Sequence, residues 1–522
     1  MTKPLPQGIT LGQLNAAIAE IEKVVGKEYV YLDDIKELRS YRDPYNTTND
    51  ADFAPSAAVA PHNVEQIQKI LAIVNNYKIP VWTISTGKNF AYGGPAPRKP
   101  GYIVLDLKLM NRILEVNEKH GYAIVEPGVS YYDLYNYLQE KGSKLWIDCA
   151  APAWGGIVGN TSEHGAGYTP YGDHLLMQCG MQVVLADGTV VETGMDTTAN
   201  SKTGGLYKYG QGAAIDGLFT QSNFGVITRM GIWLMPEPPG YTPFMITLEN
   251  EHDLETVTDL SLPLRVNQVI HNAPMTVDLL WEAAMSVSRS QYYTGKGPMP
   301  DSHRKKMAKD LDLGIWNYYG AVYGPGPMMK NNMDVIRDTF GSIPGAKFHY
   351  DDTRKGDPGW DYRVKLMKGV PNMTEFSLLN WVGGGGHINF SPISAADGKS
   401  SMNQYKMIEK RAHEYGFDYI GEFLIGWRDQ HHIFMLMFNR MSPEEKKRAH
   451  DLFAILVDEA AALGYGEYRT HLSFMDQIAG TFSWNDNALW DTHHALKDEL
   501  DPNGILSPGK QGIWPKNLRG ES

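Results

Sequence analysis

Residues 85–94 of this chain read Ser-Thr-Gly-Lys-Asn-Phe-Ala-Tyr-Gly-Gly, and this stretch decides the fold. It follows Pro80-Val81-Trp82-Thr83-Ile84, which is typical of a buried strand. Glycines combined with Ser, Thr and Asn predict a concave turn rich in free backbone N–H groups, and such turns bind phosphate oxygens. The dinucleotide-binding pattern G-x-G-x-x-G is absent. The stretch therefore predicts a phosphate loop of another kind, with an ordinary surface loop as the alternative.

The composition limits the classes of function. A chain of 522 residues is expected to form two or three domains. Its formal net charge of −12 argues against nucleic acid or an anionic membrane surface as a partner. Cys149 and Cys179 are too few for a disulfide scaffold or a clustered metal site. Residues 1–13 lack the apolar core of a signal peptide, so we expect a cytoplasmic protein without metal or membrane segment.

The first part of the chain alternates helices and strands. A helix capped by Asn63 is predicted between two apolar segments, and a second helix opens at Ser130 and closes at Gly142. A hairpin around Asp187-Gly188 breaks a purely parallel arrangement. The predicted strands are 56–60, 80–84, 102–107 and 122–126, with the hairpin over 181–193. The pattern favours the α+β class.

A proline-rich segment, residues 236–241, predicts a domain boundary. Beyond it, strands mix with long helices, of which the clearest begins at Ser442-Pro443-Glu444-Glu445 and ends at Gly464. The turn-rich C-terminal segment is predicted to return to the first domain. The predicted domains are therefore 1–240, 241–465 and a returning segment 466–522.

Residues 428–432 read Arg-Asp-Gln-His-His and precede an apolar run. A metal site at His431 and His432 is unfavourable, because neighbouring side chains on an extended segment point to opposite faces. Two interpretations stay open. Both residues are buried histidines with ordinary partners, or one imidazole faces a cofactor.

Residues 466–471 read Gly-Glu-Tyr-Arg-Thr-His, which places a phenol O–H beside a permanently charged guanidinium. An isolated Tyr-Arg pair is more often a surface feature. With Tyr92, however, Tyr468 and Arg469 would offer three donors to one oxygen. Ionising a phenol at pH 7 means offsetting about three pKa units, or about 4 kcal/mol. Charge-assisted hydrogen bonds contribute about 1.5–3 kcal/mol each, so two or three suffice to bind a phenolate.

Two further segments, residues 155–160 and 165–173, are rich in glycine. Glycine at these positions would let the backbone approach a flat ring closely. A long surface loop is an equally good interpretation of the composition alone.

Together these segments resemble the vanillyl-alcohol oxidase family of flavoproteins over residues 55–515. The subgroup is the para-substituted phenol oxidases, such as eugenol oxidase, with the related flavoprotein subunit of para-cresol methylhydroxylase. The matching strings are Ser85-Thr86-Gly87-Lys88-Asn89 with Tyr92-Gly93-Gly94, the run from Gly167 to Asp173, Arg428 with His431-His432, and the run from Gly466 to His471.

The resemblance implies FAD held by a para-cresol methylhydroxylase-type domain of two α+β subdomains, under an α+β cap domain with an antiparallel sheet. It implies a covalent 8α-histidyl bond to the flavin at His432, which matches the flavin-bearing histidine of the family. Leu379 stands where the methylhydroxylase has its flavin-bearing tyrosine and cannot form that bond. It assigns Tyr92, Tyr468 and Arg469 to the substrate phenolate. The expected cofactor-binding residues are Ser85, Thr86, Gly87, Lys88, Asn89, Gly93, Gly94, Gly156, Gly159, Asn160, Gly167, Tyr168, Gly225, Ile227 and Lys510.

The implied reaction oxidises 4-alkylphenols or 4-hydroxybenzyl alcohols. Hydride would pass from the benzylic carbon to flavin N5, leaving a para-quinone methide, and dioxygen would be reduced to hydrogen peroxide. A homodimer is expected. The alternative is a dehydrogenase subunit that passes electrons to a c-type cytochrome, and a third possibility is a flavin-storage or aromatic-binding protein without enzymatic activity.

Two departures from the family pattern affect this expectation. Ala151 stands where the oxidases place an aspartate near flavin N5, so the group that assists water attack is unassigned. The glycine run 383–386 is similar to that of the cytochrome-linked subunit, whereas Leu379 and the run Gly466–Asp476 favour an oxidase. We expect an oxidase, and the sequence leaves open the preferred phenol and the choice between hydroxylation and desaturation.

Overall fold

The computed structural model describes residues 3–33 and 35–520 of the chain. Its first part contains three sheets. The strands are β1 (Val30–Tyr31), β2 (Ala57–Val59), β3 (Val81–Ile84), β4 (Ile103–Asp106), β5 (Ile113–Asn117), β6 (Tyr122–Val125), β7 (Leu145–Trp146), β8 (Gln178–Val184), β9 (Val190–Glu192), β10 (Val226–Trp233) and β11 (Met235–Pro236). The helices are α1 (Leu11–Val25), α2 (Val64–Tyr77), α3 (Tyr131–Glu140) and α4 (Ile157–Ser162).

A four-stranded sheet carries the loop that the sequence singled out. Its order is β1-β2-β4-β3, with β2, β4 and β3 parallel to one another. Helix α2 begins where it was predicted, because the Asn63 side chain accepts from the Gln66 backbone N–H. Apolar residues of α1 and α2 bury one face of this sheet. The loop after β3 consequently starts from the fixed carboxyl end of a buried parallel strand.

A second sheet is antiparallel, in the order β5-β6-β10-β8-β9. The predicted hairpin is β8 and β9, and the Gly188 N–H closes its turn on the Leu185 carbonyl oxygen at 2.9 Å. The two short strands β7 and β11 form a separate pair. The α+β prediction is therefore confirmed for this part of the chain.

The second part is built on one eight-stranded antiparallel sheet, in the order β15-β12-β14-β13-β18-β19-β16, with β17 paired to β19. Its strands are β12 (Tyr241–Leu248), β13 (Met275–Asp278), β14 (Trp316–Tyr323), β15 (Lys347–His349), β16 (Gly386–Phe390), β17 (Ile393–Ala395), β18 (Gly421–Ile425) and β19 (Asp429–Phe438). The accompanying helices are α5 (Asp253–Val266), α6 (Leu279–Ala284), α7 (Asp301–Leu311), α8 (Gly326–Phe340), α9 (Asp351–Arg354), α10 (Pro358–Leu366), α11 (Gly398–Glu414) and α12 (Pro443–Ala462). A 3₁₀ segment, Thr374–Val382, precedes β16.

The two faces of this sheet belong to different cores. One face packs on helices α5, α8, α11 and α12 through residues such as Phe423, Phe434 and Leu436. The other face, with Leu424, Ile433 and Met435, joins the core of the first part of the chain. Side chains on this second face are therefore placed against the first part of the chain.

The C-terminal segment, with helices α13 (Met475–Thr481) and α14 (Trp484–Leu500), returns to the first sheet. The Val81 N–H donates to the Ile505 carbonyl oxygen at 2.8 Å, and the Ser507 N–H donates back to Val81 at 2.8 Å. A fully buried pair of Lys497 and Asp501, 2.7 Å apart, fixes this return. The exact domain limits stay a prediction. Within the described residues, no helix has both the length and the apolarity that crossing a membrane requires.

Candidate active site

A cavity of about 280 Å³ lies between the two parts of the chain. Its walls come from the loop after β3, from the residues around α4, from the cavity-facing side of the large sheet, and from the segments 468–475 and 506–510. The cavity thus collects nearly every segment that the sequence marked as chemically informative.

The loop after β3 lines one wall. Thr86, Gly87, Lys88 and Asn89 all line the cavity, and their backbone N–H groups donate no hydrogen bond to an acceptor in the described chain. Gly87 has a φ of +65°, which glycine adopts without strain. Free N–H groups on a glycine turn form a site for phosphate oxygens. The loop therefore fits a pyrophosphate, as a bound FAD would supply.

The glycines of the neighbouring wall fit the same group. A Cβ atom on Gly159 would lie 2.2 Å from Ser85 Oγ, and one on Gly156 would lie 2.9 Å from Thr86 Cγ2. Helix α4 can approach the phosphate loop only because these positions lack side chains.

Three donors meet at another point of the cavity wall. The Arg469 guanidinium lies 4.3 Å from the ring centroid of Tyr92 and 5.3 Å from that of Tyr468. Arg469 Nη2 donates to Tyr468 Oη at 3.2 Å. Burial raises the pKa of Tyr468 well above its usual range, while the guanidinium opposes that rise. Arg469 Nε has no hydrogen-bond partner among the described residues. Tyr92 and Arg469 are 377 positions apart in the sequence, and the three side chains nevertheless converge with donor groups still free.

A buried carboxyl group lines the cavity at a third point. The Tyr362 hydroxyl donates to Glu375 Oε2, and burial raises the pKa of Glu375 to about 7. Glu422 also lines the cavity, and its pKa is raised by burial and lowered by Arg363.

Arg363 is shared between Glu422, at 3.2 Å, and Glu282, at 2.9 Å. One cation therefore faces three buried carboxyl groups, those of Glu282, Glu375 and Glu422. Glu375 lacks a direct bond to this arginine, and burial raises its pKa to about 7.

Tyr168 lies between these carboxyl groups and the three residues Tyr92, Tyr468 and Arg469, which we call the phenol clamp. Its pKa is raised by burial and by the charges of Glu422 and Glu375, and Tyr468 acts on it as well. A ligand held at Arg469 consequently has the two carboxyl groups within the same enclosed space.

The structure separates the predicted histidine from the cavity. Side chains alternate between the two faces along β19, and His432 faces the helix side of the large sheet. There its Nε2 lies 2.7 Å from Tyr419 Oη, and its ring stacks on Phe423. Burial lowers the pKa of His432 to about 3. The role predicted for His432 as the flavin-bearing residue therefore does not fit its position. His431 points to the opposite face, where its ring lies 4.5 Å from that of Tyr468.

A different histidine lines the cavity. His387 on β16 places Nδ1 2.8 Å from Asn389 Oδ1, which makes Nδ1 the protonated nitrogen and leaves Nε2 as a free lone pair. Burial lowers the pKa of His387 to about 4, so the imidazole is neutral at pH 7. His387 is the one histidine on the cavity wall within the part of the chain described.

Most of the predicted site residues lie on the cavity wall. They are Ser85, Thr86, Gly87, Lys88, Asn89, Tyr92, Gly94, Gly156, Gly159, Asn160, Tyr168, Gly225, Ile227, Tyr468, Arg469 and Lys510. Gly93 and Gly167 are not on the wall: a Cβ on Gly93 would lie 2.4 Å from Leu472, and one on Gly167 would lie 1.4 Å from Asp148 Oδ1. These two glycines serve the packing behind the wall. The sequence analysis did not identify Glu375, Glu422 and His387 as site residues. For His387, the alternation of polar and apolar residues along β16 could have indicated a cavity-facing side chain.

Comparison with known proteins agrees with this geometry. Residues 55–194 match the FAD binding domain family, and residues 327–511 match the C-terminal domain of FAD linked oxidases. The chain is 42% identical over 511 residues to the 4-cresol dehydrogenase (hydroxylating) flavoprotein subunit of Pseudomonas putida, covering 98% of this chain and 97% of that protein.

Two solved structures are similar over almost the whole chain. One is p-cresol methylhydroxylase with substrate bound, with a TM-score of 0.96 and 41% identity over 98% of this chain and 99% of that one. Another is the isoeugenol complex of 4-ethylphenol oxidase from Gulosibacter chungangensis, with a TM-score of 0.97 and 41% identity over 99% and 100% of the two chains. The fold and the cavity thus define an FAD-dependent oxidoreductase. More narrowly, the chain belongs to the vanillyl-alcohol oxidase family, in the branch that includes para-cresol methylhydroxylase.

Proposed function

We propose that this protein oxidises para-alkylphenols and 4-hydroxybenzyl alcohols at the benzylic carbon. The observation that carries the proposal is the convergence of Tyr92, Tyr468 and Arg469 on the cavity that the loop after β3 also lines. The names of the similar proteins, which act on 4-cresol and 4-ethylphenol, support the same class of substrate.

The clamp binds the substrate hydroxyl as a phenolate. Two tyrosine O–H groups and the guanidinium can donate to one oxygen, and each such bond to an anion contributes about 1.5–3 kcal/mol. Because Arg469 keeps its charge, it favours the ionised ring over the neutral phenol. The negative charge on the ring weakens the benzylic C–H bond toward loss of hydride.

FAD held by the loop after β3 and the glycines of α4 would supply the hydride acceptor. The substrate is then a para-quinone methide, and its phenolic oxygen stays in the clamp. Water adds to the benzylic carbon to give the alcohol, or a proton leaves the side chain to give the alkene. Glu375 accepts the proton of the water that adds, because it lines the cavity and its pKa of about 7 allows both protonation states at neutral pH. Glu375 thus assists the attack of water, for which Ala151 offers no acidic group.

His387 is the residue that would hold the flavin covalently. A covalent link through imidazole needs a neutral ring with a free nitrogen on the cavity side, and His387 meets both conditions. His432 meets the first condition alone, since it faces the helices.

We propose an oxidase that returns its electrons to dioxygen, with release of hydrogen peroxide, and that forms a homodimer. Leu379, half-buried beside His387, supports this choice because its aliphatic side chain offers no flavin attachment of the tyrosine type. The second candidate is a dehydrogenase subunit that works with a cytochrome, which the relative from Pseudomonas putida favours.

Stopped-flow reduction and reoxidation separate these candidates. Wild-type protein is reduced anaerobically with 4-ethylphenol and then mixed with air-saturated buffer. An oxidase reoxidises fast enough to account for turnover and yields one peroxide per substrate, whereas a dehydrogenase reoxidises slowly and turns over only with a dye or cytochrome. Tyr468→Phe should slow the reduction, with Tyr465→Phe, a half-buried tyrosine three positions away, as the matched control. A flavin that no para-alkylphenol reduces would contradict the proposed function as a whole.

A further inference from the structure

Trp154 is a large apolar side chain that remains 42% exposed although it lies next to the cavity. It is not part of the cavity wall, but the wall residues Ala151, Pro152 and Gly155 flank it in sequence. Its ring therefore lies on the outer side of the wall, between the cavity and bulk solvent.

Two half-buried aromatic rings connect Trp154 with the interior. Phe90 lies 5.6 Å from it in a perpendicular arrangement, and Phe376 lies 6.0 Å from it at 82°. Both phenylalanines line the cavity, and their own rings are 6.3 Å apart. Phe90 belongs to the loop after β3, Trp154 to the loop before α4, and Phe376 to the 3₁₀ segment Thr374–Val382. They close one seam between the two halves of the molecule.

A cation holds the outer ring in place. Lys88 Nζ lies 4.2 Å from the centre of the Trp154 ring, within the range of a cation–π contact. The backbone on either side of Trp154 is anchored. The Ala153 N–H donates to the Asn372 carbonyl oxygen at 3.0 Å, and the Gly155 carbonyl oxygen accepts from the Tyr131 N–H at 3.3 Å. Opening at this seam therefore requires rotation of the side chain and not displacement of the loop.

We propose that Trp154, Phe90 and Phe376 form an aromatic gate through which a small planar ligand reaches the cavity, and that Trp154 is the moving part. A flat phenol can pass between rings that meet edge to face, exchanging one aromatic contact for another. Trp154 is thus an access residue that sets the rates of binding and release and leaves the affinity unchanged. The choice of a phenol as the passing ligand rests on the proposed function, whereas the gate itself does not.

The test compares wild type with Trp154→Ala, Trp154→Phe and Trp427→Ala. Trp427 is a matched control, because it is 38% exposed, carries a guanidinium 4.2 Å above its ring and lies away from the cavity wall. The probe is 4-nitrophenol, which has no benzylic hydrogen to lose and changes its absorbance on ionisation. Stopped-flow mixing gives its association and dissociation rate constants.

Trp154→Ala should raise both rate constants together by about three- to tenfold, as expected when aromatic contacts are removed, with an unchanged Kd. Trp154→Phe should restore most of the wild-type rates, and Trp427→Ala should have no effect. Unchanged rates would overturn the gate. A rise in the dissociation rate alone would overturn it too, because Trp154 would then belong to the binding surface.

A second probe tests the gate without relying on the phenol clamp. Dithionite reduces a bound flavin without using Tyr92, Tyr468 or Arg469, and its rate reports how easily a small solute reaches the cavity. Trp154→Ala should accelerate this reduction by a similar factor, while Trp427→Ala should not. If wild-type protein fails to bind 4-nitrophenol, the clamp is wrong, and the dithionite rates still decide the gate; equal rates in wild type and Trp154→Ala reject it.

Discussion

The two faces of the eight-stranded sheet differ in the way they use buried polar residues. On the helix side, His432 pairs with Tyr419 and stacks on Phe423 inside an aromatic core. On the cavity side, His387 keeps one nitrogen free, and Glu422 reaches an arginine shared with another carboxylate. Both histidines are neutral at pH 7, because burial lowers both pKa values. The chemical state is the same, and only the face differs.

This comparison shows that strand alternation, and not the number of histidines in a motif, decides which imidazole can react. His431 and His432 are adjacent, so the sheet sends them to opposite sides. On β16 the same rule places His387 and Asn389 together on the cavity wall and sends Ile388 and Phe390 into the helix-side core. The substitutions below test whether function follows the face.

The largest expected effect is complete loss of covalently held flavin in His387→Ala. After acid precipitation, the yellow colour should stay in the wild-type pellet and move to the supernatant in the variant. His432→Ala is the matched control, and it should keep the colour in the pellet while lowering the free energy of unfolding, since it leaves a cavity among aromatic rings. Colour released by His432→Ala and retained by His387→Ala would reverse the assignment.

The next effect is on the phenol clamp. Arg469→Ala removes the permanent charge and its hydrogen bonds to the phenolate, at about 1.5–3 kcal/mol each, so kcat/KM should fall by about 10²- to 10⁴-fold. The variant should also fail to bind 4-nitrophenol in its yellow phenolate form at a pH where the free phenol is protonated. Arg448→Ala, at an arginine that donates to the Tyr415 carbonyl oxygen far from the wall, should change neither property.

A smaller effect on chemistry, but a clear effect on stability, is expected from Leu436→Ala. Leu436 is fully buried on the helix side of β19, and truncating such a residue costs about 2–5 kcal/mol of the free energy of unfolding. Denaturant unfolding should show this loss, while flavin attachment and kcat/KM for 4-ethylphenol stay within about twofold of wild type. A large change in kcat/KM in a folded variant would mean that the two faces are coupled.

Much of the fold could be predicted because its signals are local. Asn63 and Ser130 cap the helices that they were expected to cap, and Asp187-Gly188 closes the expected hairpin. Strand alternation and turn chemistry act over a few residues, so one sequence is enough to detect them. The return of the C-terminal segment was also predicted, although the pairing of Leu506 with Val81 depends on tertiary contacts.

The site was predictable only where a motif combined rare residue types. Tyr468 beside Arg469 is such a motif, and both residues do face Tyr92. Glu375 and Glu422 gave no such signal, because a glutamate in a half-polar segment is ordinarily exposed. Their role depends on a buried arginine that bonds to Glu282 and Glu422 while Glu375 bonds to Tyr362, and this arrangement arises from packing between distant strands and helices.

The smallest expected effect concerns the protonation of Glu375. Since burial raises its pKa to about 7, the carboxyl group becomes able to accept a proton as pH rises through that value. With 4-ethylphenol, the fraction of substrate converted to the benzylic alcohol should therefore increase between about pH 6 and pH 8 in wild type, and Glu375→Gln should remove this dependence.

The raised pKa of Glu375 also affects stability, because the folded state holds a proton that the unfolded state has lost above about pH 4.3. Glu375 therefore stabilises the fold at low pH and loses that contribution as pH rises through about 7. Glu375→Gln should flatten this part of the stability profile as well, whereas Glu467→Gln, which alters a buried carboxyl group off the cavity wall, should leave the product ratio unchanged. A product ratio in Glu375→Gln that still follows pH would assign the proton to Glu422 instead.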